Sequence, residues 1–90
     1  MSGDITIRYA QELMRKYYFE RDSKRGLHAT FTWFIEEVGE LAESLLSKDK
    51  DSIAEEIADV LAWLLSIANI VGIDVSEAFR KKYMNPEPPL

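Results

Sequence analysis

The sequence predicts an all-α protein: a four-helix chain, three longer helices and a short C-terminal one, forming helical bundles in a homo-oligomer. Three observations carry that expectation. Apolar residues recur at 3/4 spacing through Ile7, Ala10, Leu13, Met14, Tyr17 and Tyr18, and again through Phe31, Phe34, Val38, Leu41, Ala42 and Leu45, the pattern of one helix face. Ser52-Ile53-Ala54-Glu55 and Asp74-Val75-Ser76-Glu77 both match the capping box that opens a helix. Finally, 47% of only 90 residues are apolar and none is cysteine. A chain this short has a marginal core, and without disulfides or zinc-thiolate sites, association between copies is the economical way to bury that surface.

The elements follow in order. Asp4 is placed to cap a first helix that runs to about Phe19. Tyr9, Tyr17, Tyr18 and Phe19 make it aromatic-rich, as core or interface packing requires. Residues 20–26, charged and ending in Gly26, read as an exposed loop. Its three cations, Arg21, Lys24 and Arg25, are either solvated or in contact with phosphates. His28, the lone histidine, fits a surface or helix-start position as well as a functional one. A second helix is expected over about 29–47, with Gly39 inside it, where glycine costs about 1 kcal/mol relative to alanine. That glycine is either a tolerated imperfection or a place where another backbone or a metal-bound ligand comes close. After the polar residues 48–51, a third helix opens at Ser52 and runs to about Val71, with Gly72 as its stop. A short fourth helix spans about 75–84 and carries Arg80, Lys81 and Lys82. Residues 1–85 form a single helical domain, and 86–90 are a Pro-rich tail.

From Ile57 onward the third helix is apolar nearly all round, so it should be the most buried. Its polar residues Ser52, Glu55, Glu56, Asp59, Ser66 and Asn69 fall on one stripe at 100° per residue, and Trp63 and Ile70 lie on the same side. The stripe is therefore no ordinary face toward water. Asp59, flanked by Ile57, Val60 and Trp63, should be partly desolvated, which is costly without a partner.

Two acidic clusters stand out, Glu36-Glu37-Val38-Gly39-Glu40 and Glu56-Ile57-Ala58-Asp59. Each sets two carboxylates three residues apart, Glu37 with Glu40 and Glu56 with Asp59, on one helix face. Two such helices side by side would crowd four carboxylates together, and their repulsion must be relieved by protons or a cation. Oxygen ligands without His or Cys suit a hard divalent ion, magnesium or manganese. The other reading is of solvated acids on amphipathic helices, and spacing alone leaves both open.

Charge and hydropathy exclude other classes. A net charge of −5 argues against nucleic acid as the main partner, since phosphate binding wants a basic face. The residues before the first helix are neither basic nor apolar, so no secretory signal is read there. The run 57–71 is interrupted by Asp59, Ser66 and Asn69 and is too short and polar to span a membrane. A cytoplasmic, soluble protein is the expectation.

The paired stretches EEVGELAES and EEIADVLAWL resemble the MazG-type nucleoside triphosphate pyrophosphohydrolases, an all-α superfamily with Glu-x-x-Glu on one helix and Glu-x-x-Asp on the next. The resemblance covers about 30–85. It implies a Mg-dependent hydrolase that splits a nucleoside triphosphate into monophosphate and pyrophosphate. Glu37, Glu40, Glu56 and Asp59 match the metal-ligand positions, and Glu36 matches an extra acid that positions water or a second ion. Lys81 and Asn85 match a Lys-x-x-x-Asn element that grips phosphate. Relatives typically continue with Arg and Tyr-Pro; here Pro86-Glu87-Pro88-Pro89 follows, so part of that grip is either missing or supplied by Arg80, Lys82 or another subunit.

The implied chemistry agrees with the residues. An acidic protein can hold an anionic triphosphate only through bridging cations, which also lower the pKa of a bound water and neutralise charge on a leaving pyrophosphate. No nucleophilic Ser or Cys constellation is evident, so direct attack by water is favoured. Trp33 lies one turn before Glu37 and Trp63 one turn after Asp59; each either borders the base or ribose or packs in the core. Three functions compete: a nucleotide pyrophosphatase, with nucleotide-pool cleaning as its role; phosphoribosyl-ATP pyrophosphohydrolysis; and a non-catalytic helical oligomer that binds metal or nucleotide. The oligomer expected is a homodimer or homotetramer.

Overall fold

The computed structural model of the chain describes residues 3–84. Asn85, with its expected phosphate contact, and the tail 86–90 lie outside the described residues. Four helices and no strand occur among the described residues: α1 (Ile7–Arg25), α2 (Leu27–Ser47), α3 (Lys50–Val71) and α4 (Val75–Tyr83). α2 and α3 form a helical hairpin, α1 lies along α3, and α4 packs on α1.

Two starts differ from the sequence expectation. Thr6, not Asp4, caps α1: its backbone is extended and its Oγ1 accepts from the Tyr9 N–H at 2.9 Å. α3 opens at Lys50 after Asp49 rather than at Ser52. The Ser52 hydroxyl instead lies 3.0 Å from the Ser44 hydroxyl, joining α3 to α2 across the hairpin. At the start of α4 the expectation is met, with Asp74 Oδ1 accepting from the Glu77 N–H at 3.2 Å.

The expected loop at 20–26 is helical as far as Arg25. Glu, Arg and Lys are good helix formers, and Asp22 is buried, holding Arg25 one turn on at 3.0 Å. The break is a single residue. Gly26 has φ 94° and ψ 163°, a region open in practice to glycine. Its N–H ends α1 on the Asp22 carbonyl and its carbonyl begins α2 with the Thr30 N–H, each at 3.0 Å.

A buried polar network sets the α3–α4 corner, where the second helix axis turns by 100° from the first. Gln11 Nε2 donates to Asn69 Oδ1 at 3.0 Å and to the Ile73 carbonyl at 2.7 Å. Asn69 Nδ2 donates back to the Gln11 carbonyl, and the Val75 N–H donates to Gln11 Oε1 at 2.9 Å. Gly72, left-handed with φ 76°, closes α3. Outside the corner, Arg8 bonds Asp74 at 3.0 Å.

α3 is buried on one side only. Leu65 and Ala68 are the buried apolar residues among those described, and Ser66 and Asn69 of the polar stripe are buried with them. Ile57, Leu61, Leu64 and Val71 of the same helix are exposed, as are Phe31, Val38 and Leu45 of the α2 stripe. No single helix among the described residues is long and apolar enough to cross a membrane.

Candidate metal centre

The hairpin brings both acidic clusters together. Carboxylate oxygens of Glu36, Glu37 and Glu40 lie within 4.8 Å of one another, and so do those of Glu37, Glu56 and Asp59. Glu37 belongs to both groups and links them. Helix spacing places Glu37 and Glu40 on one face of α2 and Glu56 and Asp59 on one face of α3; the short α2–α3 connection then sets the two faces opposite each other.

The electrostatics show the crowding. Burial and the charges of Glu40, Asp59, Glu36 and Glu56 push the Glu37 carboxyl up from 4.5 to about 7. Glu40 is raised by its hydrogen bond to Glu36 and then by the charge of Glu36. Glu56 is raised by burial and by Glu40 and Asp59, offset in part by a hydrogen bond with Glu37. Asp59, expected to be partly desolvated, is exposed; Glu37 and Glu56 carry the burial instead. Glu56 Oε1 reaches neither solvent nor a hydrogen-bond partner. An acceptor in that state is costly, and a proton or a cation would satisfy it. The all-carboxylate donor set fits a hard divalent ion.

The two tryptophans are brought together as well. Their rings stack with centroids 6.4 Å apart and planes 20° from parallel. Trp33 is half exposed. Trp63 also receives the Arg25 guanidinium over its ring, 5.0 Å from the centroid, and it borders a cavity that Asp59 shares. Gly39 does not mark a close approach within this chain: nothing lies within 4 Å of a Cβ built on it. His28 is exposed and contributes its carbonyl to the Thr32 hydroxyl.

Lys81 is not gathered with the acids. It is exposed on α4, beyond the corner at the opposite end of α3, and Asp59 to Val71 alone spans about 18 Å of helix. Among its neighbours on α4, Arg80 lies 3.8 Å from Glu77 and Lys82 over the Tyr83 ring.

Comparison with known proteins adds the lineage. The model of the MazG nucleotide pyrophosphohydrolase domain matches residues 25–86. The chain belongs to the MazG family. It is also 40% identical over 53 residues to a dATP/dGTP diphosphohydrolase of cyanophage S-2L, across 59% of this chain and 47% of that protein. The chain thus spans about half the length of that relative. MazG enzymes are metal-dependent, in keeping with the acid groups here. The five acids, both tryptophans, Lys81 and Asn85 fall inside the MazG domain, whereas α1 up to Lys24 falls outside it.

Two residues at the site were not legible as such: Asp22 and Arg25. The signal was present. Gln11, Met14, Tyr18 and Asp22 continue the 3/4 spacing of α1 without a break, but the density of charge after Phe19 masked it.

Proposed function

We infer that the chain hydrolyses a nucleoside triphosphate to the monophosphate and pyrophosphate with a divalent cation, magnesium or manganese, held by Glu37, Glu40, Glu56 and Asp59. The observation that carries this is the buried, unpartnered Glu56 Oε1 within a ring of acids that repel one another. Solvated surface acids would leave neither an orphaned oxygen nor a carboxyl raised to about 7.

Glu37 spans the two acid groups and fixes their separation. Glu36, exposed at the edge, orients the attacking water or a second ion. The bound cation supplies charge neutralisation on the triphosphate and lowers the pKa of that water. Trp63, backed by Trp33, borders the base or ribose. Lys81, carried on α4 beyond the far end of α3 from the acids, reaches the phosphates of a second copy, and the phosphate grip expected of Lys81 and Asn85 is completed by Arg80 or Lys82. The protein works as a homodimer or homotetramer, which covers the exposed faces of α2 and α3, and nucleotide-pool cleaning in the cytoplasm is the role that suits it. The relative's name points to a purine deoxynucleoside triphosphate as substrate.

The test is pyrophosphate release from deoxynucleoside and nucleoside triphosphates and from phosphoribosyl-ATP, with magnesium or with EDTA. Release from a purine deoxynucleoside triphosphate, abolished by EDTA, is expected. Release from phosphoribosyl-ATP alone replaces the substrate. Release from none overturns the hydrolase and leaves a non-catalytic oligomer.

A further inference from the structure

Beside Asp59, between α1 and α3, lies a cavity of about 250 Å³. Tyr18, Arg21 and Asp22 of α1 face Asp59, Trp63 and Ser66 of α3 around it. Asp22 is only 3% exposed and Ser66 only 5%. A carboxylate so far from water needs partners, and Arg25 Nη1 donates to Asp22 Oδ1 at 3.0 Å. Arg25 is itself steadied over the Trp63 ring. One bond does not exhaust a carboxylate, which can accept about four, so the buried wall of the cavity keeps a fixed acceptor.

We propose that this cavity takes the nucleobase of the substrate and that Asp22 is a specificity-determining residue. It selects a base edge bearing an exocyclic amino group, guanine over hypoxanthine. The proposal rests on the triphosphate reading above and deepens it. The link is Asp59, which belongs both to the acid group and to the cavity wall: a triphosphate anchored at the acids has its base next door. Tyr18 and Trp63 line it with aromatic rings. A carboxylate only accepts hydrogen bonds. Guanine presents two adjacent donors, N1–H and the 2-amino group; hypoxanthine lacks the second, and the keto oxygens of thymine or uracil would meet the carboxylate unfavourably. Asp22, Arg21 and Tyr18 lie outside residues 25–86, so this half of the wall belongs to the chain's own first helix rather than to the matched domain.

The simpler role for Asp22 is to hold Arg25. The two roles separate on a ratio, since loss of a purely positioning contact lowers activity on all bases alike. With the full chain and magnesium, kcat/KM is measured for dGTP and dITP, in the parent and in Asp22→Asn. The parent should prefer dGTP by about tenfold or more, the discrimination expected from one lost hydrogen bond to a charged acceptor. In Asp22→Asn, Arg25 claims the amide oxygen and the amide NH2 faces the 2-amino group, so the ratio should fall to about one. A parent ratio below about twofold overturns the proposal whatever the variant does. An unchanged ratio in folded Asp22→Asn also overturns it. If Asp22→Asn does not fold, Asp22→Glu keeps the charge but misplaces the acceptor, and its ratio must fall at least about threefold for the proposal to stand. Hydrolysis without discrimination defeats this proposal alone; hydrolysis of no triphosphate defeats the parent reading with it.

Discussion

The rings of Trp33 and Trp63 stack with centroids 6.4 Å apart, each one helical turn from a carboxylate of the candidate metal centre, Glu37 and Asp59. The stack ties α2 to α3 at the level where the acids repel each other. It therefore opposes the separation that repulsion would drive.

Trp33→Ala should lower stability by more than about 1 kcal/mol, since the aromatic pair adds that much beyond the apolar area that a half-buried tryptophan covers. Because Trp63 keeps its contact with Arg25 and with the cavity, Trp33→Ala should weaken nucleotide binding less than Trp63→Ala does. Urea melts and nucleotide titrations of both variants check this. An unchanged melt for Trp33→Ala would show that the stack contributes nothing.

Removing charge from the acid group should stabilise the metal-free protein. Glu37→Gln is expected to raise its melting temperature at pH 8 the most, because Glu37 touches both groups; Asp59→Asn should do so less. Each should lose activity by orders of magnitude and blunt stabilisation by magnesium, which at a hundredfold excess over its dissociation constant is about 2.7 kcal/mol for an intact site. Variants that match the parent in metal-free melting, magnesium response and activity would mean that these are solvated acids.

The pH dependence of the metal-free protein has a definite sign. With the Glu37 carboxyl raised from 4.5 to about 7, the folded state binds more protons than the unfolded one between those values. Its contribution is full below 4.5 and is lost as pH rises through about 7. Melting in EDTA should therefore fall between pH 5 and 7.5, as an approximate window, while stabilisation by magnesium grows over the same range. A metal-free melting temperature that rises across that range would contradict the raised carboxyl.

Gly39→Ala distinguishes an open helix face from a covered one. Within this chain an added methyl meets nothing within 4 Å, so the substitution should stabilise α2 by about 1 kcal/mol. Destabilisation instead, measured by thermal melting, would mean that a second copy packs closely against that glycine.

The exposed apolar side of α3 should be an interface between copies. Leu61 lines an apolar groove of about 210 Å³ with Ile5, Leu13 and Leu65 and is 46% exposed. Leu61→Glu should shift the protein toward monomer in light scattering. A parent chain that is monomeric at micromolar concentration ends the argument.

Helix positions were legible because apolar residues recur at the helix period and caps have their own chemistry: α2 and the Asp74 cap stand where spacing and cap chemistry put them, although Phe31, Val38 and Leu45 of the α2 stripe stay exposed. The acid groups were legible for the same reason, since spacing fixes the face on which a carboxylate lies. Three kinds of feature were not. The helix through 20–25 was hidden because charged residues signal solvent only when their side chains reach it, and Asp22 does not. Ser52 looked like a cap because its hydroxyl has no partner in sequence, whereas its partner Ser44 is eight residues back, across a hairpin. The burial of Glu37 rather than Asp59 depends on how deeply two helices interlock, a distance no one-dimensional pattern encodes.

The Gln11 network carries a consequence for how this domain can be cut. Residues 25–86 bear the family likeness, and a trimmed protein would naturally begin there. Yet Gln11, fourteen residues before that point, supplies the acceptor for the Val75 N–H and the donor for the Ile73 carbonyl. A chain started at residue 25 loses those hydrogen bonds and the one to the Asn69 amide, and it uncovers the sides of α3 and α4 that pack on α1. The stretch inherited with the lineage and the stretch that folds as a unit are thus different lengths of the same polypeptide, and the first helix acts as the keystone of a corner built from the last two.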